Sequence, residues 1–385
     1  MKKLRINEFL SAAFDSSRRS IDRLFLATVI ALAAYGTVMV FSAGYAYADF
    51  RYSDGFYFVK RQALWLIVGL ISMLAVARID VGLLEKHTSK AYVGTLLLLG
   101  LTLVIGFTGN GAQRWISIGP ITIQPSEIAK LTMTMMLAKY FSMSKSYASP
   151  KNKKDVFIKG TLIPCIIIAT PVLLVMLQHH LSCIIILGII GLLMIVTSGV
   201  DLRYIGAFCL VGLGGVSYIA FFTDYTKDRI TVWLDPESYK LTGGWQTLQG
   251  LMAIGSGGIF GKGLGKGELK YCYVSEPAND MIFAVLCEEL GLVGAILAML
   301  LFALLIWRGF IIAFNTKNTY ARLLTIGICI KIAIQVLLNV AVVTNTIPNT
   351  GISLPFFSYG GSSLIMIFAE MGIILSVSRN SRIHK

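Results

Sequence analysis

Long apolar runs constrain this chain more than any other feature. Ten of them recur along its 385 residues, roughly at 24–46, 62–77, 91–107, 126–143, 157–178, 181–200, 204–222, 280–306, 321–343 and 360–378. Most have the length an α-helix needs to cross a hydrocarbon core. The second, third and fourth are short or interrupted, so their ends are soft. A water-soluble fold would hide such runs behind a polar shell, and with 56% hydrophobic and 14% charged residues the chain lacks one. Inside lipid every backbone donor and acceptor needs a partner, and a helix supplies these locally. The expectation is an all-α integral membrane protein of about ten transmembrane helices over 24–378, with tails at 1–23 and 379–385.

Lysine and arginine set the orientation. Of 34 basic residues, 21 fall in the tails and loops that would share a side with both termini, against 10 in the opposite loops and 3 within spans. Both termini are therefore expected to be cytoplasmic, with the first span a retained helix and not a removed signal. The net charge of +14 is read as this topology signal plus attraction to anionic membrane lipids, not as nucleic-acid binding. Five of the six cysteines fall inside spans, so no disulfide framework is expected. No internal repeat suggests a two-half transporter.

One extracytoplasmic loop, 223–279, is far longer than the rest, and loops of that size are functional or disordered. Trp233, Trp245, Tyr271 and Tyr273 argue for order. Its glycine run "GSGGIFGKGLGKG" (255–267) does not fit a Walker loop, because Ser256 stands where the first glycine belongs and Gly263 follows Lys262. It is either a hairpin or a set of backbone N–H groups that, with Lys262, Lys266 and Lys270, meets a phosphate.

Several ionisable residues sit in or beside apolar runs, where charge is costly. Glu127 and Lys130 are three apart after Pro125, so they share a helix face, either as a structural pair or as functional groups. Lys331, Gln335 and Asn339 form one polar stripe, either interhelical glue or a cavity lining. His179 and His180 point to different faces and read as an interfacial cap, not a chelating pair. Asp280 opens the eighth run, and Glu288 and Glu289 lie two or more turns deeper, read as partners inside the bundle.

Together these segments resemble the SEDS family of FtsW, RodA and SpoVE. The resemblance covers almost the whole chain, through "RWISIGPITIQPSEIAKL" (114–131), "DRITVWLDP" (228–236), "GGWQTLQGLMAIGSGGIFGKGLG" (243–265), "SEPANDMIFAVLCEELG" (275–291) and "TGISLPFFSYGGSSL" (350–364). The early "GTVMVFSAG" (36–44) and short tails look more like the FtsW/SpoVE branch. The chain departs from the pattern in three places. Gln178-His179-His180-Leu181-Ser182-Cys183 replaces Gln-Pro-Asp-x-Gly-Thr, Ala278-Asn279 precedes the aspartate, and Ser353 replaces a proline.

The resemblance implies a peptidoglycan glycosyltransferase that polymerises lipid II at the outer face of the bacterial cytoplasmic membrane, in division or spore-wall synthesis. It makes Asp280 the catalytic base, because a sugar hydroxyl is a poor nucleophile without one. It places Arg114, Glu127, Lys130, Lys262, Lys270, Gln335, Asn339 and Ser358 in a substrate site or cavity. Arg114, Lys130, Lys262 and Lys270, or a divalent cation such as Mg or Mn, would meet the leaving pyrophosphate. It also implies a class B penicillin-binding protein as partner. A lipid II flippase and a non-catalytic scaffold for that transpeptidase are the rival readings.

The charge asymmetry yields a direct test. A cysteine introduced near Lys153 is expected to resist an impermeant thiol reagent in intact cells, and one within 223–279 to react. The reverse pattern would overturn the topology.

Overall fold

The computed structural model describes residues 21–109, 112–119, 121–143, 157–200, 206, 224–271, 276–379 and 381. The seventh expected span (204–222, Gly206 apart), most of both tails, the basic loop with Lys145 to Lys154, Cys209, Cys272 and Tyr273 lie outside the described residues.

Helices match the other nine runs. They are α1 (Arg23–Tyr52), α2 (Tyr57–Arg78), α3 (Val81–Ile105), α4 (Pro125–Met143), α5 (Ile163–Leu177), α6 (Leu181–Thr197), α9 (Ile282–Phe314), α10 (Thr319–Val343) and α11 (Gly361–Arg379). A π-helical turn, Ile158–Leu162, leads into α5. Seven of these helices are long and apolar enough to cross a membrane, and α6 is a shorter apolar helix. The chain is a multi-pass membrane protein.

Local chemistry sets the helix starts. The carboxylates of Asp22 and Asp80 accept from the N–H groups of Phe25 and Gly82, and the Asn318 amide oxygen accepts from that of Ala321. Each satisfies one of the donors that a helix start leaves open. Pro125 opens α4, where its missing N–H costs nothing. α10 and α11 are mostly buried, whereas α2 and α3 present most of their residues outward. α2 packs along α11, and α9 along α1 and α10.

Two departures from a purely helical plan frame the site. Between α3 and α4 the chain forms a small antiparallel sheet, β1 (Phe107–Gly109), β2 (Ala112–Ile118) and β3 (Ile121–Ile123), in the order β1-β2-β3. The long loop is also built: it holds α7 (Asp224–Leu234) and α8 (Gly244–Gly257), followed by the glycine run.

That run folds as a hairpin into a break in α9. Gly291 has φ 64 and ψ −163 inside the helix, a conformation open to glycine. The hairpin supplies the hydrogen bonds that the helix forgoes there. The N–H groups of Lys262 and Gly263 donate to the carbonyls of Glu288 and Glu289, and those of Leu292 and Val293 to the carbonyls of Gly258 and Ile259. A Cβ at Gly257 would lie 1.9 Å from the Cys287 carbonyl oxygen, so the approach tolerates no side chain.

The two carboxylates then lock the hairpin. Glu288 Oε1 accepts from Lys262 Nζ at 3.0 Å and from the Glu268 N–H at 2.9 Å. Glu289 accepts from Lys270 Nζ at 2.6 Å, the Gly265 N–H at 3.0 Å and Ser42 Oγ at 2.5 Å. Both glutamates are fully buried. A carboxylate so placed is stable only when paired and hydrogen-bonded.

Removing one partner of such a pair costs about 3–5 kcal/mol. Lys270→Met is therefore expected to lower the thermal midpoint of the detergent-solubilised protein sharply. Lys270→Met with Glu289→Met should recover most of the loss. A single variant as stable as the parent would show that the pair does not hold the hairpin.

Candidate functional site

One cavity of about 670 Å³ opens beside the start of α9. Its walls come from α2, β2, α4, the α5–α6 turn, α7, α8, α10 and the segment 349–363. Its charged lining is Arg61, Arg114, Lys130 and Arg229 against Glu127, Glu276 and Asp280. Four cations and three carboxylates give a floor suited to anionic and hydroxyl-bearing ligands.

Asp280 stands two residues before α9. Its main chain is fixed from two sides. Asn339 Nδ2 on α10 donates to the Asp280 carbonyl at 2.9 Å and to the Ile352 carbonyl at 2.6 Å. Ser358 Oγ donates to the Asn279 carbonyl at 2.7 Å and accepts from the Leu354 N–H at 2.7 Å. The Tyr359 N–H donates to the Ala278 carbonyl at 2.8 Å. Gln246 of α8 lines the cavity near the carboxyl group, whose Oδ1 is withdrawn from solvent without a hydrogen-bond partner. Burial pushes the Asp280 pKa up to about 6, with Glu276 adding to the rise and Arg229 and Gln246 opposing it. That value suits a group that must be ionised near neutral pH and still bind a proton.

Glu127 and Lys130 lie deeper in the same cavity. Lys130 Nζ donates to Glu127 Oε1 at 2.7 Å, and both side chains are buried. Gln335 also lines the cavity, with Oε1 unpartnered. Arg114 donates through Nη2 to the His179 carbonyl at 2.5 Å. Arg229 donates to the Asn349 carbonyl, tying α7 to the cavity rim.

The structure thus brings Asp280, Arg114, Glu127, Lys130 and Gln335 to one cavity. It does not bring the other four expected residues there. Lys262 and Lys270 are engaged by Glu288 and Glu289 and brace the hairpin. Asn339 and Ser358 spend their hydrogen bonds on main-chain carbonyls around Asp280 and position it from behind. The polar stripe on α10 is divided: Lys331 pairs with Glu370 of α11 at 2.5 Å, both buried, Gln335 faces the cavity, and Asn339 braces.

Sequence reasoning missed Arg61, Arg229 and Gln246 as lining residues and Glu370 as a buried partner. Glu370 carries the signal that flagged Lys331, an ionisable residue inside an apolar run. Arg61 and Arg229 had only their charge, counted there toward topology.

A family model described as cell cycle protein, for FtsW, RodA and SpoVE, matches residues 22–383. The chain is 37% identical over 370 residues to stage V sporulation protein E of Bacillus subtilis, covering 95% of this chain and 99% of that one. It is 35% identical over 363 residues to a probable peptidoglycan glycosyltransferase FtsW of Geobacter sp., covering 94% and 97%. Among solved structures, it matches a chain from work on coordination of polymerization and crosslinking by a peptidoglycan synthase complex. The TM-score is 0.78 at 28% identity, over 94% of this chain and 98% of that one. It also matches the rod shape determining protein RodA of Thermus thermophilus, with a TM-score of 0.70 at 27% identity, over 95% and 99%.

The division into bracing and lining residues predicts opposite outcomes on one helix. Asn339→Ala strips donors from two carbonyls and is expected to cost about 1–3 kcal/mol of stability. Gln335→Ala, one turn away and with its Oε1 unpartnered, should cost clearly less. Equal thermal shifts for the two would contradict the assignment.

Proposed function

The chain belongs to this family of FtsW, RodA and SpoVE cell cycle proteins, and from that premise we propose that it is a peptidoglycan glycosyltransferase that polymerises lipid II. The observation that carries the reading is Asp280, a recessed carboxylate with a poised pKa at the mouth of a cavity lined by Arg61, Arg114, Lys130 and Arg229.

Asp280 accepts the proton of the acceptor sugar's hydroxyl as the oxygen attacks the anomeric carbon of the donor. The new glycosidic C–O bond forms as the bond from that carbon to the lipid pyrophosphate breaks, and the pyrophosphate leaves with the electron pair. The four cations stabilise the charge that develops there. Lys130 is oriented for this by Glu127. Among the described residues no three His, Cys, Asp or Glu side chains group to hold a metal ion. A divalent cation, when bound, would supply further positive charge for the leaving pyrophosphate.

The cavity end that carries Asp280 and 223–279 faces outward, both termini are cytoplasmic, and the protein lies in the bacterial cytoplasmic membrane. The basic-residue asymmetry supports this orientation. A class B penicillin-binding protein would cross-link the nascent strand, and the likeness to a chain of a synthase complex supports such a partner. Strand synthesis would serve division or spore-wall formation.

Asp280→Asn keeps size and polarity but cannot take the proton, so polymerisation by purified protein should fall about 10²–10⁴-fold. The base works only when deprotonated, and its folded pKa is raised. For the parent, log kcat/KM should therefore climb with pH, bend near pH 6 and level above it. Normal glycan chains from Asp280→Asn would remove the base and favour a flippase or scaffold.

A further inference from the structure

The α5–α6 turn forms a part of the cavity wall that the reaction above does not use. His179 has φ 53, a left-handed conformation closed to proline, whose ring holds φ near about −65°. The turn in this chain is therefore not the one a Gln-Pro-Asp segment could form. Its geometry has two effects. The His179 carbonyl faces Arg114 and accepts from Nη2 at 2.5 Å. The His180 ring is carried into the cavity lining, nine-tenths buried, with Nδ1 unpartnered.

Two further uncharged lining residues carry an unpartnered polar atom, Gln335 Oε1 on α10 and Thr350 Oγ1 in the segment after it, alongside Arg114 Nε, Glu127 Oε2 and Asp280 Oδ1 of the charged lining. Ser182, at the start of α6, donates to the Thr350 carbonyl and joins these walls. His180, Ser182, Gln335 and Thr350 thus add neutral polar groups to the lining beside the charged Arg114, Glu127 and Lys130.

We propose that His180 is a specificity-determining residue whose imidazole hydrogen-bonds an uncharged group of the substrate's sugar, a hydroxyl or acetamido group, and not the pyrophosphate. Nδ1 can donate in one neutral tautomer and accept in the other, which matches groups that do both. The charge state agrees with this role. Burial, with Arg114 and Lys130 nearby, holds the His180 pKa down to about 3 against the opposing pull of Glu127, so the ring is neutral at any working pH. A neutral ring offers a phosphate oxygen a weaker bond than the cations in the cavity do. A buried hydrogen-bonding site discriminates strongly against a group that leaves it unpaired.

The inference rests on the glycosyltransferase reading, and its test separates the two. Binding of lipid II and of undecaprenyl pyrophosphate, which lacks the sugars, is measured by native mass spectrometry in the Asp280→Asn background. Adding His180→Phe is expected to weaken lipid II binding about tenfold, the worth of one buried hydrogen bond, and to leave undecaprenyl pyrophosphate binding within about twofold. His180→Gln, which keeps a donor and an acceptor, should restore lipid II binding. With Asp280 intact, His180→Phe should raise KM far more than it lowers kcat. Equal weakening for both ligands would assign the ring to the pyrophosphate or to packing and overturn the proposal. So would unchanged lipid II binding. Failure of the parent protein to polymerise lipid II would instead overturn the glycosyltransferase reading.

Discussion

Glu288 and Glu289 have no access to water, and the architecture around the cavity follows from what they require. A bare carboxylate in such surroundings would cost several kcal/mol. Each is answered by a lysine and by backbone N–H groups, and all of those donors come from the glycine hairpin, the residues just after it (Glu268 and Lys270), or Ser42 on α1. The hairpin is thereby seated in the break at Gly291, and α8, which leads into it, lies along α9. Gln246 on α8 lines the cavity alongside Asp280. The pair of Lys270 and Glu289 thus helps to seat the helix that walls the cavity beside Asp280.

Buried ionisable groups are paired both outside the cavity and within it: Lys331 with Glu370, Lys270 with Glu289, and Lys130 with Glu127. The cavity lining also keeps polar atoms with no partner. Asp280 Oδ1, Glu127 Oε2 and Arg114 Nε are all buried and unpartnered. Binding capacity held in reserve by a rigid wall is what a substrate with many hydroxyl, amide and phosphate oxygens can use without reorganisation of the site.

Much of this was legible in the sequence, for physical reasons. A run of apolar residues has few alternatives to a helix in lipid, so nine expected spans coincide with helices, though α1 runs on to Tyr52 and α3 begins at Val81. The Glu127–Lys130 contact followed from helical spacing alone. The sheet at 107–123 was not foreseen, because strands of three and seven residues give little periodicity to read. Lys262 and Lys270 were expected to meet phosphate. Nothing local to them shows that their carboxylates lie 26 and 19 residues further along the chain. Asn339 and Ser358 were expected in the substrate site or cavity, and they lie behind it, bonded to main-chain groups around Asp280. Whether an amide or hydroxyl faces a ligand or a carbonyl depends on packing between distant segments, which spacing does not encode.

The break at Gly291 also bears on how the chain is made. Residues 257–263 leave the ribosome before the stretch of α9 they complete, and that stretch cannot satisfy its own main chain at the break. The first turns of α9 therefore do not form a self-sufficient membrane segment. They and the hairpin would have to settle into the bilayer as one unit, with Lys262 and Lys270 already carrying the charges that Glu288 and Glu289 need. Insertion at this point is a joint event between two parts of the chain, and a tag or spacer placed between 263 and 280 would act first on biogenesis and only then on catalysis.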